Sequence, residues 1–243
     1  MKNKNIKKSG KPNKVLVEDK LLIRITSRKN LLKPKMNLRN EEKIFKSLYG
    51  DDVDGHRISH AGRMEVDEKD RKYLIYGELP FSEFALVFEE PAILKDVEKS
   101  KIFYDLGSGT GKILVEATLL LPGLEKIIGI ELVRTLFEVS NQIKQKLRLQ
   151  MEAADKIETI HGNFLNIDYS YQPPDIVFLH YPMHNAEDLY MRLEEKFKNE
   201  LKPGVLIVSC MRRLENLGTF THIATRKIQC PYGSATVYYH RKI

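Results

Sequence analysis

The sequence predicts an α/β fold in which a doubly wound, mostly parallel sheet ends in a C-terminal antiparallel hairpin. Three observations predict it. Short apolar runs alternate with segments of helical periodicity from residue 102 onward, and a glycine-rich turn follows the first of these runs. Residues 219–240 contain two strand patterns joined at Pro231–Tyr232–Gly233. Alternating strands and helices are typical of right-handed crossovers between parallel strands.

The elements of the main domain follow from hydrophobic periodicity and from the residues that interrupt it. Residues 102–104 form a short apolar strand, and the turn after it carries three glycines between residues 107 and 111. Residues 113–121 have apolar side chains at helical spacing, and Pro122–Gly123 ends that helix. The same reasoning predicts strands at 127–130, 156–160, 175–179, 205–209, 219–228 and 234–240, and helices at 133–151 and 186–200.

The chain before residue 102 has a less regular pattern. Residues 40–49 have helical spacing, and residues 73–88 lead from a short apolar run into an amphipathic helix beginning near Pro80. Residues 15–25 have a strand or short hairpin pattern, and residues 51–70 are loop-like. We therefore expect a disordered basic tail at 1–14, an N-terminal extension at 15–72, and one α/β domain at 73–243.

Positive charge is concentrated at the N-terminal end. Residues 1–46 carry fifteen Lys and Arg against four acidic residues, whereas the rest of the chain has a net charge of −4. A basic segment of this kind is typical of contact with a polyanion, such as nucleic acid or a nucleosome. A solvated tail that only aids solubility has the same composition, so both interpretations stay open.

Other sequence features limit the location and the chemistry. Cys210 and Cys230 are too few for a disulfide framework, which predicts a reducing compartment, cytoplasmic or nuclear. We expect no secretory signal and no contact with a membrane, because no segment approaches about 20 apolar residues. His56 and His60 have the spacing of two metal ligands on a helix, but Gly55 and Gly62 disfavour a helix there, and we expect no metal site.

The acidic residues around the glycine turn indicate the ligand. Glu131 follows the second strand, twenty residues after Gly111, and a carboxylate there suits two ribose hydroxyls. Asp105 lies two residues before Gly107, where a negative charge would repel a pyrophosphate and attract a cation. S-adenosylmethionine carries both an ammonium and a sulfonium, so it fits better than a dinucleotide. A glycine turn with a purely structural role is the remaining alternative.

These motifs resemble those of class I S-adenosylmethionine-dependent methyltransferases over residues 73–243. More narrowly, they resemble the non-SET histone lysine methyltransferases, the disruptor of telomeric silencing family. The resemblance rests on the following segments: Tyr76–Gly77–Glu78, the turn from Asp105 to Gly111, Gly129–Ile130–Glu131, Gly162–Asn163–Phe164, and Val237–Tyr238–Tyr239–His240. It implies a Rossmann-like fold.

The resemblance also implies roles for individual residues. Glu78 and Asp105 receive the amino acid portion of the donor, Glu131 holds the ribose, and Asn163 and Phe164 contact the adenine. The predicted cofactor-binding residues are Tyr76, Glu78, Asp105, Gly107, Ser108, Gly109, Lys112, Glu131, Asn163, Phe164 and His180. The predicted catalytic residues at the acceptor end are His180, Tyr181, Tyr238 and Tyr239.

By the same resemblance the methyl acceptor is a protein lysine. An aromatic channel near the sulfonium favours the neutral amine that must attack, and His180 is a candidate for accepting a proton. The family has an Asn-Asn-Phe-type sequence where this chain has His180–Tyr181–Pro182. A methyltransferase for nucleic acid or a small molecule therefore stays open, as does a module that binds the donor without turnover. The sequence leaves the oligomeric state open.

Overall fold

The structure, a computed structural model, describes residues 35–50, 53–180, 186–215 and 218–243. We number the helices and strands of these residues in chain order. The helices are α1 (Lys35–Tyr49), α2 (Gly55–Gly62), α3 (Glu68–Arg71), α4 (Phe81–Phe88), α5 (Leu94–Lys99), α6 (Lys112–Leu120), α7 (Arg134–Arg148) and α8 (Glu187–Glu200). The strands are β1 (Ile102–Leu106), β2 (Lys126–Glu131), β3 (Ile157–His161), β4 (Ile176–His180), β5 (Leu206–Cys210), β6 (Phe220–Cys230) and β7 (Gly233–Lys242).

The described residues form one seven-stranded sheet in the order β3-β2-β1-β4-β5-β7-β6. Strands β1 to β5 are parallel to one another, and β7 is antiparallel to both β5 and β6. The strand order reverses between β1 and β4, which places the switch point of the sheet there. In open α/β sheets, ligands bind at the carboxyl ends of the strands near this point. The predicted fold class is confirmed.

The central strands are buried because helices cover both faces of the sheet. Phe103, Ile127 and Phe178 face one apolar cluster, together with α4 and α6. Tyr104 and Ile128 face the other cluster, together with α8. Continuous apolar runs, rather than alternation, are therefore what the parallel strands show in the sequence.

The prediction of a loop over residues 51–70 is wrong, because α2 and α3 lie there. The Asp54 side chain accepts a hydrogen bond from the Arg57 backbone N–H at 3.1 Å, which caps the N-terminus of α2. Gly55 is needed for contact and not for flexibility: a Cβ at this position would lie 2.1 Å from the Tyr76 hydroxyl oxygen. The glycines that disfavour a helix in the sequence are thus the points where α2 packs closely on its neighbours.

Several predictions lie outside the described residues. They concern the tail at 1–14, the strand pattern at 15–25 and Tyr181, so they stay predictions. Within the described ranges, the helix predicted at 40–49 begins earlier, at Lys35. No helix in these ranges is long and apolar enough to cross a bilayer.

The C-terminal hairpin is confirmed, and its register determines what reaches the sheet edge. Cys210, the last residue of β5, pairs with Val237 of β7. Because β7 runs antiparallel to β5, the hairpin turn at Tyr232 projects beyond the carboxyl ends of the parallel strands. Tyr238 and Tyr239 pair with Ser209 and Val208, so they lie beside the body of β5, below that edge.

Candidate functional site

A cleft with about 1010 Å³ of empty space, open to solvent, lies at the carboxyl ends of β1, β2 and β4. The structure brings all eleven predicted cofactor-binding residues to its wall. Apolar side chains that the sequence analysis did not single out complete the lining, among them Leu74, Val133 and Leu136. A large, partly apolar cleft with convergent polar groups is the usual form of a small-molecule site.

Asp105, in β1, is the most unusual acid on this wall. Its side chain is 1% exposed, and among the described residues its Oδ2 atom has no hydrogen-bond partner. Burial raises the pKa of the carboxyl well above its ordinary value, and the nearby Glu131 raises it further. A buried acceptor without a donor is unfavourable by itself, so this geometry fits a ligand that brings N–H donors and positive charge.

Glu131, at the end of β2, organises the glycine turn. Its Oε2 accepts a hydrogen bond from the Gly109 N–H at 2.7 Å, and its Oε1 accepts one from the Val133 N–H at 2.7 Å. Burial raises the pKa of this carboxyl, and the two backbone donors oppose the rise. Gly109 has φ +55°, and a Cβ there would lie 2.9 Å from the Tyr76 ring. The backbone therefore closes over the cleft in a way that only glycine allows.

Glu78 lies in the loop before α4 and has two partners. Its Oε2 accepts from Lys112 Nζ at 2.6 Å, and its Oε1 accepts from the Tyr76 hydroxyl at 2.8 Å. The Thr110 hydroxyl lies 3.1 Å from the same Tyr76 oxygen. The charge of Glu78 is thus balanced by a lysine of the chain itself, whereas Asp105 has no comparable counter-ion at hydrogen-bond distance among the described residues.

Asn163 and Phe164 follow β3 on the β2 side of the cleft. Asn163 Oδ1 accepts a hydrogen bond from the Leu165 N–H at 2.9 Å, which caps the short 3-10 turn Phe164–Asn166. One lone pair of this oxygen is therefore in use, and the second is available to a ligand. Phe164 is half-buried against Tyr73 and Leu189, so its ring is held in place at the wall.

His180 ends β4 and forms the other side of the cleft. Its Nε2 lies 2.5 Å from the hydroxyl oxygen of Tyr232, and the two ring planes are inclined by 23° with centroids 6.0 Å apart. Burial lowers the pKa of the imidazole to about 4, so the ring is neutral near pH 7. Tyr232 was not among the predicted site residues. The hairpin pattern in the sequence could have indicated it, because a last strand that runs antiparallel to the others begins at their carboxyl edge, and the turn before it lies there.

The structure does not bring Tyr238 or Tyr239 to the cleft. The Tyr239 ring is buried beneath α4, and its hydroxyl donates to the Val87 carbonyl at 2.8 Å. Tyr238 lies on the other face of β7, near the His240 ring. The strand order explains the difference from the prediction, because β7 is two strands away from β4 and lies to the side of the cleft.

Glu116 of α6 provides a test of the acidic environment behind the cleft. Its side chain is 0% exposed, and neither carboxylate oxygen has a hydrogen-bond partner among the described residues. Burial raises the pKa of this carboxyl well above its ordinary value, Lys112 opposes the rise, and Asp105 and Glu78 add to it. The pKa of a glutamate in the unfolded chain is about 4.3. Between this pH and the raised pKa of the folded state, Glu116 holds a proton in the folded chain that it has lost in the unfolded chain.

We therefore expect stability to fall as pH rises from about 4.3 through the raised pKa of Glu116. Glu116→Gln should be more stable than the unsubstituted chain at pH 8, by about 1–3 kcal/mol, and nearly equal to it at pH 4. Urea unfolding at both pH values measures this difference. Glu98→Gln, the same change on an exposed side chain, is the control. An equal stability difference at both pH values would contradict the assignment.

Comparisons with known proteins agree with this geometry. The sequence model of the family described as "Histone methylation protein DOT1" matches residues 69–229, which include the cleft from Tyr76 to His180. A curated relative, the demethylmenaquinone methyltransferase of Oceanobacillus iheyensis, is 26% identical over 113 residues. That alignment covers 46% of this chain and 45% of the relative, so the chain spans about half the length of the curated relative it matches.

Two solved structures are similar in fold. An RNA methyltransferase from Salinibacter ruber, in complex with S-adenosyl-L-homocysteine, has a TM-score of 0.51 at 23% identity and covers 68% of this chain and 93% of its own. A putative RNA methyltransferase from Pyrococcus horikoshii has a TM-score of 0.53 at 16% identity, over 84% of this chain and 96% of its own. The family match spans more than half of the chain, so the chain belongs to the Histone methylation protein DOT1 family.

Proposed function

We propose that the chain is an S-adenosylmethionine-dependent methyltransferase that transfers the methyl group to the side-chain amine of a protein lysine. The observation that carries the proposal is the DOT1 family match over residues 69–229, a range that includes every residue of the cleft except Ser59. The acceptor side of the cleft supports it, because His180 is neutral near pH 7 and is hydrogen-bonded to the uncharged hydroxyl of Tyr232. An uncharged aromatic wall disfavours an ammonium and favours the neutral amine that must attack.

The cleft residues have distinct proposed roles toward the donor. When bound, S-adenosylmethionine supplies an activated methyl group on a sulfonium. We propose that Asp105 accepts hydrogen bonds from its ammonium, which would satisfy the buried Oδ2 atom, and that Glu78 lies beside the same group. Glu131 would hold the ribose beside the turn that it caps, and Asn163 and Phe164 would contact the adenine.

The chain's own contribution to the reaction is alignment and exclusion of water. The half-buried wall at Phe164 and the buried turn at Gly109 hold the donor side rigid, while His180 and Tyr232 border the acceptor side. Positioning of this kind supplies a large part of the acceleration in a reaction between two bound groups. Contact between a nucleosome and the basic residues 1–46 is part of the same proposal.

A second candidate is a methyltransferase acting on RNA. The specific observation in its favour is that both solved structures described above carry that description, although their low identity supports the fold alone. The net charge of +11 over residues 1–46 fits RNA as well as it fits a nucleosome.

One labelling experiment distinguishes the two candidates. The chain is incubated with S-adenosylmethionine carrying a labelled methyl group, together with nucleosomes, recombinant histone octamer or total RNA. We expect label in protein as methyl-lysine, and no label when the lysines of the octamer have first been blocked by chemical acetylation, which converts each amine to an amide. Label confined to RNA, or labelling of the octamer that blocking leaves unchanged, would contradict the lysine proposal.

A further inference from the structure

The tip of the C-terminal hairpin gives a second residue at the acceptor end of the cleft. Tyr232 lies in the turn between β6 and β7, and its side chain is 45% exposed. His180, its partner, lies on the wall of the cleft. Tyr232 therefore connects the cleft to the surface from which a macromolecular acceptor must approach.

The direction of the hydrogen bond between them follows from the chemistry of the two groups. The Nε2 atom of His180 lies 2.5 Å from the Tyr232 hydroxyl oxygen. A phenol O–H is a stronger donor than the N–H of a neutral imidazole, and the imidazole lone pair is a stronger acceptor than a phenol oxygen. The Tyr232 hydroxyl is therefore the donor, and the single N–H of the neutral ring is on Nδ1.

The second neighbour of the hydroxyl does not change this direction. The Cys230 thiol also lies beside the Tyr232 hydroxyl. Sulfur is a weak acceptor, whereas an imidazole nitrogen at 2.5 Å is a strong one. The single proton of Tyr232 is thus used by His180, and only the oxygen lone pairs remain for another group.

We propose that Tyr232, oriented by His180, is a specificity-determining residue that accepts a hydrogen bond from the methyl-accepting group. A hydroxyl whose proton is already used can only accept further hydrogen bonds. The pair therefore selects an acceptor that carries N–H, such as an amine, and disfavours groups that only accept. This inference rests on the proposed function, since it assigns the acceptor amine a partner on this chain.

The orientation of the pair can be measured without any acceptor. In the chain labelled with 15N-histidine, two-bond proton–nitrogen correlations show which ring nitrogen carries the proton, and His180→Asn identifies the signal. We expect a lone-pair type Nε2 and a protonated Nδ1 for His180. In Tyr232→Phe the pKa of His180 should rise, because a donor that stabilised the neutral ring is lost. A protonated Nε2, or an unchanged titration, would overturn the proposal.

The catalytic arm uses recombinant histone octamer as the acceptor. Tyr232→Phe should lower kcat/KM for the octamer about 10-fold and leave the Kd of S-adenosylmethionine unchanged, and the loss should disappear in a His180→Asn background. The control is Tyr171→Phe, which also removes a tyrosine hydroxyl. Tyr171 is 90% exposed and precedes β4 in the chain, at the edge of the sheet opposite the cleft. This substitution should change neither kcat/KM nor the Kd.

The outcomes separate this inference from the proposed function. Full activity of Tyr232→Phe on an octamer that the unsubstituted chain methylates would overturn the role of Tyr232 and leave the lysine proposal intact. An octamer that the unsubstituted chain does not methylate would count against the lysine proposal, and the nitrogen shifts would still decide the orientation of the pair.

Discussion

Asp105→Asn is expected to weaken the binding of S-adenosylmethionine about 1,000-fold while making the ligand-free chain more stable. The two effects have opposite signs because the Oδ2 atom of Asp105 is buried without a partner among the described residues. In the free chain the negative charge is unfavourable, so its removal raises the free energy of unfolding. In the complex the same charge would pair with a cation, and breaking a buried ion pair costs about 3–5 kcal/mol.

Titration calorimetry measures the loss of affinity, and urea unfolding of the free chain measures the gain in stability. S-adenosylhomocysteine carries the ammonium but lacks the sulfonium. If Asp105 contacts the ammonium, the substitution should weaken both ligands by a similar factor. A loss confined to S-adenosylmethionine would instead place the carboxylate next to the sulfonium and would contradict the proposed contact.

The matched control is Asp168→Asn, which makes the same chemical change on an exposed side chain outside the cleft. It should alter neither the affinity nor, by more than a small amount, the stability. If Asp105→Asn raised stability and left donor binding unchanged, Asp105 would be a buried structural acid, and the proposed position of the ammonium would be wrong.

The parallel core of this fold could be predicted from the sequence because its local signals agree with its tertiary environment. The turn from Asp105 to Gly111 follows an apolar strand and precedes a helical pattern, and residues at or just after the ends of β1, β2, β3 and β4 line the cleft. A parallel sheet buries both faces of its strands, so the apolar runs are long and unambiguous. The eleven residues predicted to bind the cofactor came mainly from the family resemblance, whose motifs lie at those strand ends and in the loop before α4.

The errors arise where tertiary contacts decide the outcome. Gly55 and Gly62 disfavour a helix in isolation, but α2 needs them for close packing against Tyr76 and Thr135. Tyr238 and Tyr239 were predicted from a resemblance in sequence, whereas the strand order places them in β7, two strands away from β4 and to the side of the cleft. Tyr232 is at the carboxyl edge because β7 pairs antiparallel with β5. The order in which distant strands pair is decided by tertiary contacts and not by local periodicity.

Glu131→Ala should both destabilise the chain and abolish binding of the adenosine portion of the donor. Its two carboxylate oxygens accept from the Gly109 and Val133 backbone N–H groups, each at 2.7 Å. Removal leaves two buried donors unpaired, and each costs about 1–3 kcal/mol. Because the Gly109 N–H belongs to the turn over the cleft, the loss of its partner also loosens the backbone that the donor must contact.

A ligand that carries the adenosine without the amino acid separates the two acids. 5′-Methylthioadenosine has the ribose and the adenine but no ammonium, so Asp105→Asn should leave its binding unchanged and Glu131→Ala should abolish it. Glu131→Gln retains one acceptor oxygen but directs an amide group toward a backbone donor, and we expect an intermediate loss of stability. Calorimetry with this ligand and urea unfolding of the three variants give the comparison. If 5′-methylthioadenosine bound equally well to Glu131→Ala, the carboxylate would only cap the turn, and the ribose would have to be held by another residue of the cleft.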